Sequence, residues 1–150
     1  MWINEAIGRA GGGNLVYPPD NTTKIQRLQV AIEVFRQGKM LFITPDTPRK
    51  AQEGVPVTLF NRTAFFPIGI FIMSLRTGAP VVPTFWHWNS GTYNIRYGEP
   101  IELTRNKPLK SQAQKAMVKW AETIDLFLHE HPEMWWNWLD KRWTRIIRGA

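Results

Sequence analysis

The strongest constraint on the fold is a helix predicted between two short strands in the first third of the chain. Residues 14–17 (N-L-V-Y) have the composition of a strand, and residues 40–44 (M-L-F-I-T) predict a buried one. Between them, Thr23 and Gln26 match a helix capping box, and apolar residues follow at helical spacing until Gly38. A strand, a helix and a strand in succession form a right-handed βαβ unit, so these residues predict a parallel strand pair.

Further elements are predicted along the rest of the chain. They are a strand at residues 55–60 interrupted by Pro56, a buried helix that starts near Ala64, is apolar through Leu75 and stops at Gly78, an antiparallel hairpin at 79–88 and 92–97, an amphipathic helix from Ser111 to before Pro132, and a last amphipathic helix from about Glu133. The predicted fold class is therefore α/β, with a mixed, partly parallel sheet flanked by helices and a C-terminal amphipathic helix.

Length and composition narrow the class of protein. A chain of 150 residues predicts a single domain, with an α/β body over about residues 1–130 and a tail over 131–150. The absence of cysteine excludes disulfides and thiolate chemistry. The longest apolar run, residues 64–73, is shorter than the roughly 20 residues that cross a bilayer, and residues 1–5 show no signal-peptide pattern. No membrane span is therefore predicted.

The net charge of +7 indicates an anionic partner, which could be nucleic acid, an anionic lipid surface or a phosphorylated substrate. The C-terminal residues 135–148 combine aromatic rings with cations; they include Trp135, Trp136, Trp138, Lys141, Arg142, Trp143, Arg145 and Arg148. Tryptophan beside lysine and arginine suits the polar edge of a bilayer. Packing of the same tryptophans on the protein core is the alternative.

Few residues have the chemistry of a catalytic base. The three histidines are His87, between two tryptophans in a predicted strand, and His129 and His131, at a predicted helix end. A structural role is favoured for His87, because a histidine between two tryptophans in a strand is more often structural than catalytic. It is also favoured for His129 and His131, because a helix dipole stabilises histidine at the C-terminal end of a helix. The sequence contains no nucleophile elbow, phosphate-binding loop or cluster of metal ligands, so neither a metal nor a bound cofactor is expected.

The most informative turn follows the predicted strand at residues 40–44. It contains Asp46 and the cations Arg49 and Lys50. In open α/β sheets, ligands bind beyond the carboxyl ends of strands, which would make this turn a binding site. An ordinary Pro-Asp turn with solvated charges is the alternative.

Four segments resemble those of a known family when taken in order. Residues 37–46 (Q-G-K-M-L-F-I-T-P-D), 75–85 (L-R-T-G-A-P-V-V-P-T-F), 93–103 (Y-N-I-R-Y-G-E-P-I-E-L) and 131–143 (H-P-E-M-W-W-N-W, then R-W) are similar to segments of the lipid A biosynthesis (lauroyl/myristoyl) acyltransferases. These enzymes belong to the lysophospholipid acyltransferase superfamily. The resemblance covers most of residues 25–145 and corresponds to the C-terminal half of the family's proteins.

The resemblance implies roles for particular residues. Residues 45–49 stand where the superfamily has its P-E-G-T-R-like motif, so Asp46 and Arg49, with Arg76, are the implied acceptor-phosphate residues. The implied acyl-pocket residues are Phe65, Phe66, Ile70, Met73, Val82 and Pro83. The implied membrane-interface residues are Trp135, Trp138, Arg142 and Trp143. Asp46 is expected to hold Arg49, another arginine or the loop backbone in place.

The superfamily's catalytic H-x4-D or H-x4-E motif is absent from this sequence. Thr92, Met134 and Trp136 stand five positions after the three histidines, so no catalytic residue is assigned here. In the family that motif lies upstream of the matched segments, which implies that this chain alone is inactive and that an N-terminal half is missing. The sequence departs from the family's pattern at two other places. Asn61-Arg62 stands in place of Gly-Arg, and residues 66–69 stand in place of a Thr-Gly-Pro sequence.

The reaction that the resemblance implies is transfer of a fatty acyl group to a hydroxyl of a membrane lipid, a lipid A precursor or a related glycolipid. The acyl donor is an acyl carrier protein or coenzyme A thioester, and the implied location is the cytoplasmic face of the bacterial inner membrane, as a peripheral protein. The expected partners are the donor, the anionic lipid acceptor and the membrane surface. The alternatives are a tryptophan-bearing nucleic-acid module and a non-catalytic membrane-surface protein.

Overall fold

The protein is described by a computed structural model that covers residues 23–104 and 108–149. The chain divides into two compact units, residues 1–42 and residues 43–150. The prediction that all 150 residues form one domain stays a prediction. The strand predicted at residues 14–17 lies outside the described residues.

The described part of the first unit is a helix, α1 (Lys24–Arg36). Its capping box is formed as predicted: the Gln26 backbone N–H donates to Thr23 Oγ1 at 3.2 Å, and the Thr23 backbone N–H donates to Gln26 Oε1 at 2.7 Å. After the helix, Gly38 takes a φ of +67°, a conformation that glycine adopts without steric cost. The predicted helix is confirmed at both ends.

Residues 40–44 do not form the predicted strand. They have no regular secondary structure, and the side chains of Met40 and Phe42 are exposed. A strand exists only where a neighbour pairs with its backbone, and in the described residues every strand pair is antiparallel. The α/β class is confirmed, but the expected parallel pairing is not seen in that part of the chain.

The second unit contains two antiparallel hairpins and three helices among its described residues. In chain order its elements are β1 (Val55–Leu59), β2 (Arg62–Phe66), α2 (Gly69–Thr77), β3 (Thr84–Asn89), β4 (Thr92–Tyr97), α3 (Leu109–Glu130), two short 3-10 turns (Pro132–Met134 and Trp136–Leu139) and α4 (Lys141–Arg148). β1 pairs with β2, and β3 pairs with β4. No helix among residues 23–104 and 108–149 is both long and apolar enough to span a membrane.

The β1–β2 turn is a two-residue loop with an uncommon backbone. Phe60 and Asn61 have φ angles of +51° and +57°, which is the pattern of a type I′ hairpin turn. Asparagine tolerates this conformation, and so Asn61 can replace the glycine that the family resemblance led us to expect. Phenylalanine tolerates it poorly. The Phe60 backbone N–H donates to Asp125 Oδ1 at 2.8 Å, which stabilises the turn against α3.

The helix predicted from near Ala64 begins later. Residues 62–66 form β2 instead, with Val57 opposite Ala64 and Val55 opposite Phe66. A continuous apolar run has no periodicity that distinguishes a strand from a helix. Residues 62–66 form a strand because their backbone pairs with β1. α2 starts at Gly69 and ends, as predicted, at Gly78, whose φ is +81°.

The core of the second unit lies between the β1–β2 hairpin, α2 and α3. β1 alternates buried and exposed residues, as expected for a strand with one face on a core. Fully buried Phe66 makes T-shaped contacts with Trp120 and Trp143, with ring centroids 5.8 and 5.6 Å apart. On β3, Phe85 stacks on Phe127 of α3 at 4.5 Å. α3 therefore packs on the first hairpin and also contacts the second.

The C-terminal residues are not one continuous helix, which corrects the prediction. Residues 132–139 form the two 3-10 turns, and α4 begins only after Asp140. Asp140 is the N-cap of α4, because its carboxylate accepts the Arg142 backbone N–H at 2.8 Å. The Arg142 guanidinium also donates to this carboxylate, and these hydrogen bonds lower the pKa of Asp140 and raise the pKa of Arg142.

Replacing Asp140 tests this cap and its pH dependence. We expect Asp140→Ala to reduce the free energy of unfolding by about 1 kcal/mol at neutral pH, as loss of an N-cap does. Asp140→Asn keeps a capping oxygen and is expected to cost less. Because the folded pKa is lowered, the contribution of Asp140 is present above its unfolded pKa and is lost as the pH falls through the folded pKa. Urea unfolding at neutral and acidic pH measures the loss of unfolding free energy and its pH dependence. A loss in Asp140→Ala that grows as the pH falls would contradict the assigned cap.

Candidate functional site

The loop at residues 45–50 is fixed to the rest of the second unit at two points. The Arg49 backbone N–H donates to the Phe65 carbonyl oxygen at 2.8 Å, which ties the loop to β2. Pro45 and Pro48 are buried, whereas Arg49 and Lys50 are exposed. The second fixed point is Asp46, which lies partly buried between the two prolines. The loop therefore has an anchored backbone and an exposed cationic end.

Asp46 is held by side chains from the C-terminal residues, an arrangement that we call the aspartate clamp. The Trp135 indole N–H donates to Asp46 Oδ2 at 3.0 Å, and the Asn137 amide donates to the same oxygen. The Trp143 indole N–H donates to the Asp46 carbonyl oxygen at 3.0 Å. Trp135, Asn137 and Trp143 are all buried. The clamp thus joins the loop to residues about 90 positions later in the chain.

The clamp satisfies polar groups that would otherwise be costly to bury. An indole N–H can only donate, and a carboxylate can only accept, so the two are matched. Hydrogen bonds to an ionised acceptor are roughly twice as strong as neutral ones. The contact of Asn137 with Asp46 was not predicted, because the sequence shows only a lone amide between two tryptophans. The C-terminal signature and the Pro-Asp turn are therefore two parts of one structure.

Arg49 and Arg76 are exposed, and neither is among the side chains that bond to Asp46 in the described residues. Within residues 23–104 and 108–149, neither guanidinium has a carboxylate within 4.0 Å. Asp46 was expected to hold Arg49, another arginine or the loop backbone. Among the described residues, the hydrogen bonds to its carboxylate come instead from the side chains of Trp135 and Asn137. Arg76 lies in the last turn of α2.

The six predicted acyl-pocket residues are divided among different surroundings. Phe65 and Phe66 lie on β2, and Phe66 is fully buried in the core, so its ring cannot line an accessible pocket in this conformation. Ile70 and Met73 are partly buried on α2. Val82 is exposed and Pro83 is buried in the segment before β3.

A small cavity lies beside the end of α2, and none of these six residues lines it. It measures ≈ 190 Å³ and is lined by Ser74, Leu75, Gly78, Ala79, Pro80, Ile101 and Leu103. Pockets for small molecules usually measure about 300–1,000 Å³, so this space is too small for a long acyl chain.

Two of the predicted membrane-interface residues belong to the core. Trp143 is fully buried against Phe66, and Trp135 is buried against Phe60 and Trp143. Both indoles bond to Asp46, so neither ring is available to a membrane or to a nucleic-acid base. This part of the prediction is corrected. Trp138 and Arg142 remain exposed, although Arg142 is paired with Asp140.

The histidines have structural surroundings. His87 and His131 stack on each other with ring centroids 4.9 Å apart, and His131 is also the C-cap of α3. The Nδ1 atom of His129 lies 2.7 Å from the Asp125 carbonyl oxygen. Among residues 23–104 and 108–149, no group of three potential ligands could hold a metal ion.

Replacement of Asp46 tests the clamp. We expect Asp46→Ala to lower the free energy of unfolding by about 2–3 kcal/mol, because buried indole and amide donors lose a charged acceptor. The matched control is Glu53→Ala, which removes an exposed carboxylate a few residues away and should change stability by less than ~0.5 kcal/mol. Urea unfolding gives both values. Equal effects of the two substitutions would show that the clamp does not stabilise the fold.

Comparison with known proteins connects this architecture to a family. No curated protein matches the chain. The sequence profile described as "Bacterial lipid A biosynthesis acyltransferase" matches residues 5–145. This range contains both the Asp46 loop and the C-terminal residues that hold it, and it covers nearly all of the chain. The chain belongs to the family of bacterial lipid A biosynthesis acyltransferases.

Proposed function

We propose that this chain forms the acceptor-binding side of a fatty acyltransferase. The reaction is transfer of an acyl group from an acyl carrier protein or coenzyme A thioester to a hydroxyl of a lipid A precursor or related glycolipid. The hydroxyl oxygen forms a bond to the thioester carbonyl carbon, the carbon–sulfur bond breaks, and the hydroxyl proton passes through a base to the leaving thiol. The observation that carries this proposal is the aspartate clamp, which fixes the loop that presents Arg49.

Arg49 is suited to bind the phosphate of an acceptor lipid. Its backbone is fixed through the hydrogen bond to Phe65, while its side chain extends into solvent. A guanidinium donates two parallel hydrogen bonds to a phosphate, and a fixed backbone reduces the entropy lost on binding. Arg76 is the second candidate cation, since it is also exposed and lies in a segment that resembles the family.

The catalytic base is proposed to come from polypeptide outside this sequence. None of the three histidines is followed five positions later by a carboxylate. His87 and His131 stack on each other, and His129 lies against the end of its own helix. We therefore expect the chain alone to show no turnover, and the assembled enzyme to include a segment with the H-x4-D or H-x4-E motif.

The proposed location is the cytoplasmic face of the bacterial inner membrane, with peripheral attachment. Both candidate donors, the acyl carrier protein and coenzyme A, are anionic, and so is a phosphorylated acceptor. A net charge of +7 favours association with all three. Phe65, Ile70, Met73 and Val82 are proposed as acyl-chain contacts that the rest of the enzyme completes, because the cavity beside α2 is too small.

The test is acyl transfer by the enzyme assembled from this chain and the segment that supplies the base. Arg49→Ala is expected to raise the KM for a phosphorylated acceptor about 10- to 100-fold with little change in kcat, because a charge-assisted hydrogen bond is lost on binding. Arg49→Lys should recover part of the effect. Lys50→Ala, which removes the neighbouring exposed cation, is the matched control.

Two results would contradict the proposal. The first is turnover by the chain alone, because it would place the base within this sequence. The second is an identical KM for Arg49→Ala and Lys50→Ala, because it would remove Arg49 from the acceptor site. An acceptor without its phosphate should bind equally to the wild type and to Arg49→Ala.

A further inference from the structure

Two large apolar side chains project from the second 3-10 turn. Trp136 is 79% exposed and Leu139 is 81% exposed. They occupy the first and fourth positions of this turn, and side chains three apart in a 3-10 helix are eclipsed. They therefore lie on the same side of the turn. We call this pair the apolar knob.

The exposure of the knob follows from contacts on the inner side of the turn. The Asn137 amide donates to Asp46, and the Trp138 indole N–H donates to the Pro132 carbonyl oxygen. The Trp138 ring also packs on Phe60 and Trp135, with centroids 5.1 and 4.8 Å apart. The turn is thus fixed on its inner side by the aspartate clamp, which keeps the knob in solvent.

A cationic surface follows the knob directly in the chain. Lys141, Arg145 and Arg148 are exposed on α4, and their spacing of four and three residues places them on one face of the helix. We call this set the basic face. Trp143, on the other side of α4, is buried in the core. Within the described residues, none of the three basic-face cations lies within 4.0 Å of a carboxylate.

A fourth cation approaches the end of the basic face. A guanidinium nitrogen of Arg62 lies 3.7 Å from the position that a Cβ atom on Gly149 would occupy. Gly149 is the C-cap of α4, so positive charge continues from the helix to the β1–β2 turn. Arg142 is different, because it is paired with the N-cap carboxylate of Asp140.

We infer that the apolar knob and the basic face together dock the protein on an anionic phospholipid bilayer. A tryptophan and a leucine that are almost fully exposed can enter the boundary between headgroups and acyl chains. The adjoining cations bind the phosphates of anionic headgroups. The inference rests on the proposed membrane location, and it replaces the buried Trp135 and Trp143 with Trp136 and Leu139 as the residues that contact lipid.

Vesicle sedimentation tests this surface with the chain itself. The probes are phosphatidylcholine vesicles with and without phosphatidylglycerol. We expect the wild type to bind the anionic vesicles, and Trp136→Ser with Leu139→Ser to weaken this binding at least about ten-fold. Replacing Lys141, Arg145 and Arg148 with glutamine should weaken it on the order of a hundred-fold, since each cation near the surface contributes separately.

A matched control comes from another exposed aromatic surface. Tyr93 and Tyr97 on β4 are 68% and 67% exposed, so Tyr93→Ser with Tyr97→Ser removes similar apolar area elsewhere. This variant should bind anionic vesicles like the wild type. The urea midpoint of each variant shows whether it is folded. Because both knob residues are largely exposed, replacing them should change this midpoint little.

Three outcomes would overturn the inference: no binding of the wild type to anionic vesicles, unchanged binding of the knob variant, or loss of binding in the β4 variant alone. None of them depends on acyl transfer. Conversely, failure of the Arg49 experiment would remove the proposed acceptor site and leave vesicle binding unaffected. The two proposals can therefore fail independently.

Discussion

The second unit depends on a single partly buried aspartate. Asp46 accepts hydrogen bonds from Trp135, Asn137 and Trp143, which lie 89, 91 and 97 residues later in the chain. Without its carboxylate, the buried Trp135 indole N–H and the buried Asn137 amide would lose their shared acceptor, and burial of unpaired donors costs about 1–3 kcal/mol each. The interaction explains why a Pro-Asp turn and a tryptophan-rich C-terminal signature occur in the same sequence.

The same interaction organises three regions with different chemistry. On the inner side, Trp143 completes the aromatic core around Phe66. At the loop, fixing Asp46 positions the backbone that carries Arg49. On the outer side, holding Asn137 inward leaves Trp136 and Leu139 in solvent. Packing, the proposed acceptor site and the proposed membrane contact thus share one set of hydrogen bonds.

Local signals in the sequence predicted much of the fold. The Thr23 capping box, the glycine stop at Gly78, the β3–β4 turn and the amphipathic pattern of α3 depend on residues close together in the chain, and each is confirmed. Residues 64–66 were assigned to a helix because an apolar run is compatible with either structure. They form part of β2 because their backbone pairs with β1.

The site was harder to predict, because its contacts join distant parts of the chain. Asp46 was identified from the family resemblance, but its partners were not, since no local pattern links it to Trp135 or Asn137. The C-terminal tryptophans were placed on one continuous helix because their spacing is helical. The Asp140 cap divides that segment, and the hydrogen bonds to Asp46 turn two of its rings inward. Sequence spacing shows which residues share a helix face and cannot show what that face contacts.

Hydrogen exchange of the indole N–H groups, followed by NMR, tests the aspartate clamp most directly. Trp135 and Trp143 should exchange slowly, because their indole N–H groups are buried and bonded to Asp46, while the exposed Trp136 should exchange rapidly. In Asp46→Ala, exchange at Trp135 should accelerate, since its acceptor is the removed carboxylate. Exchange of Trp135 and Trp143 at the rate of Trp136 in the wild type would contradict the account.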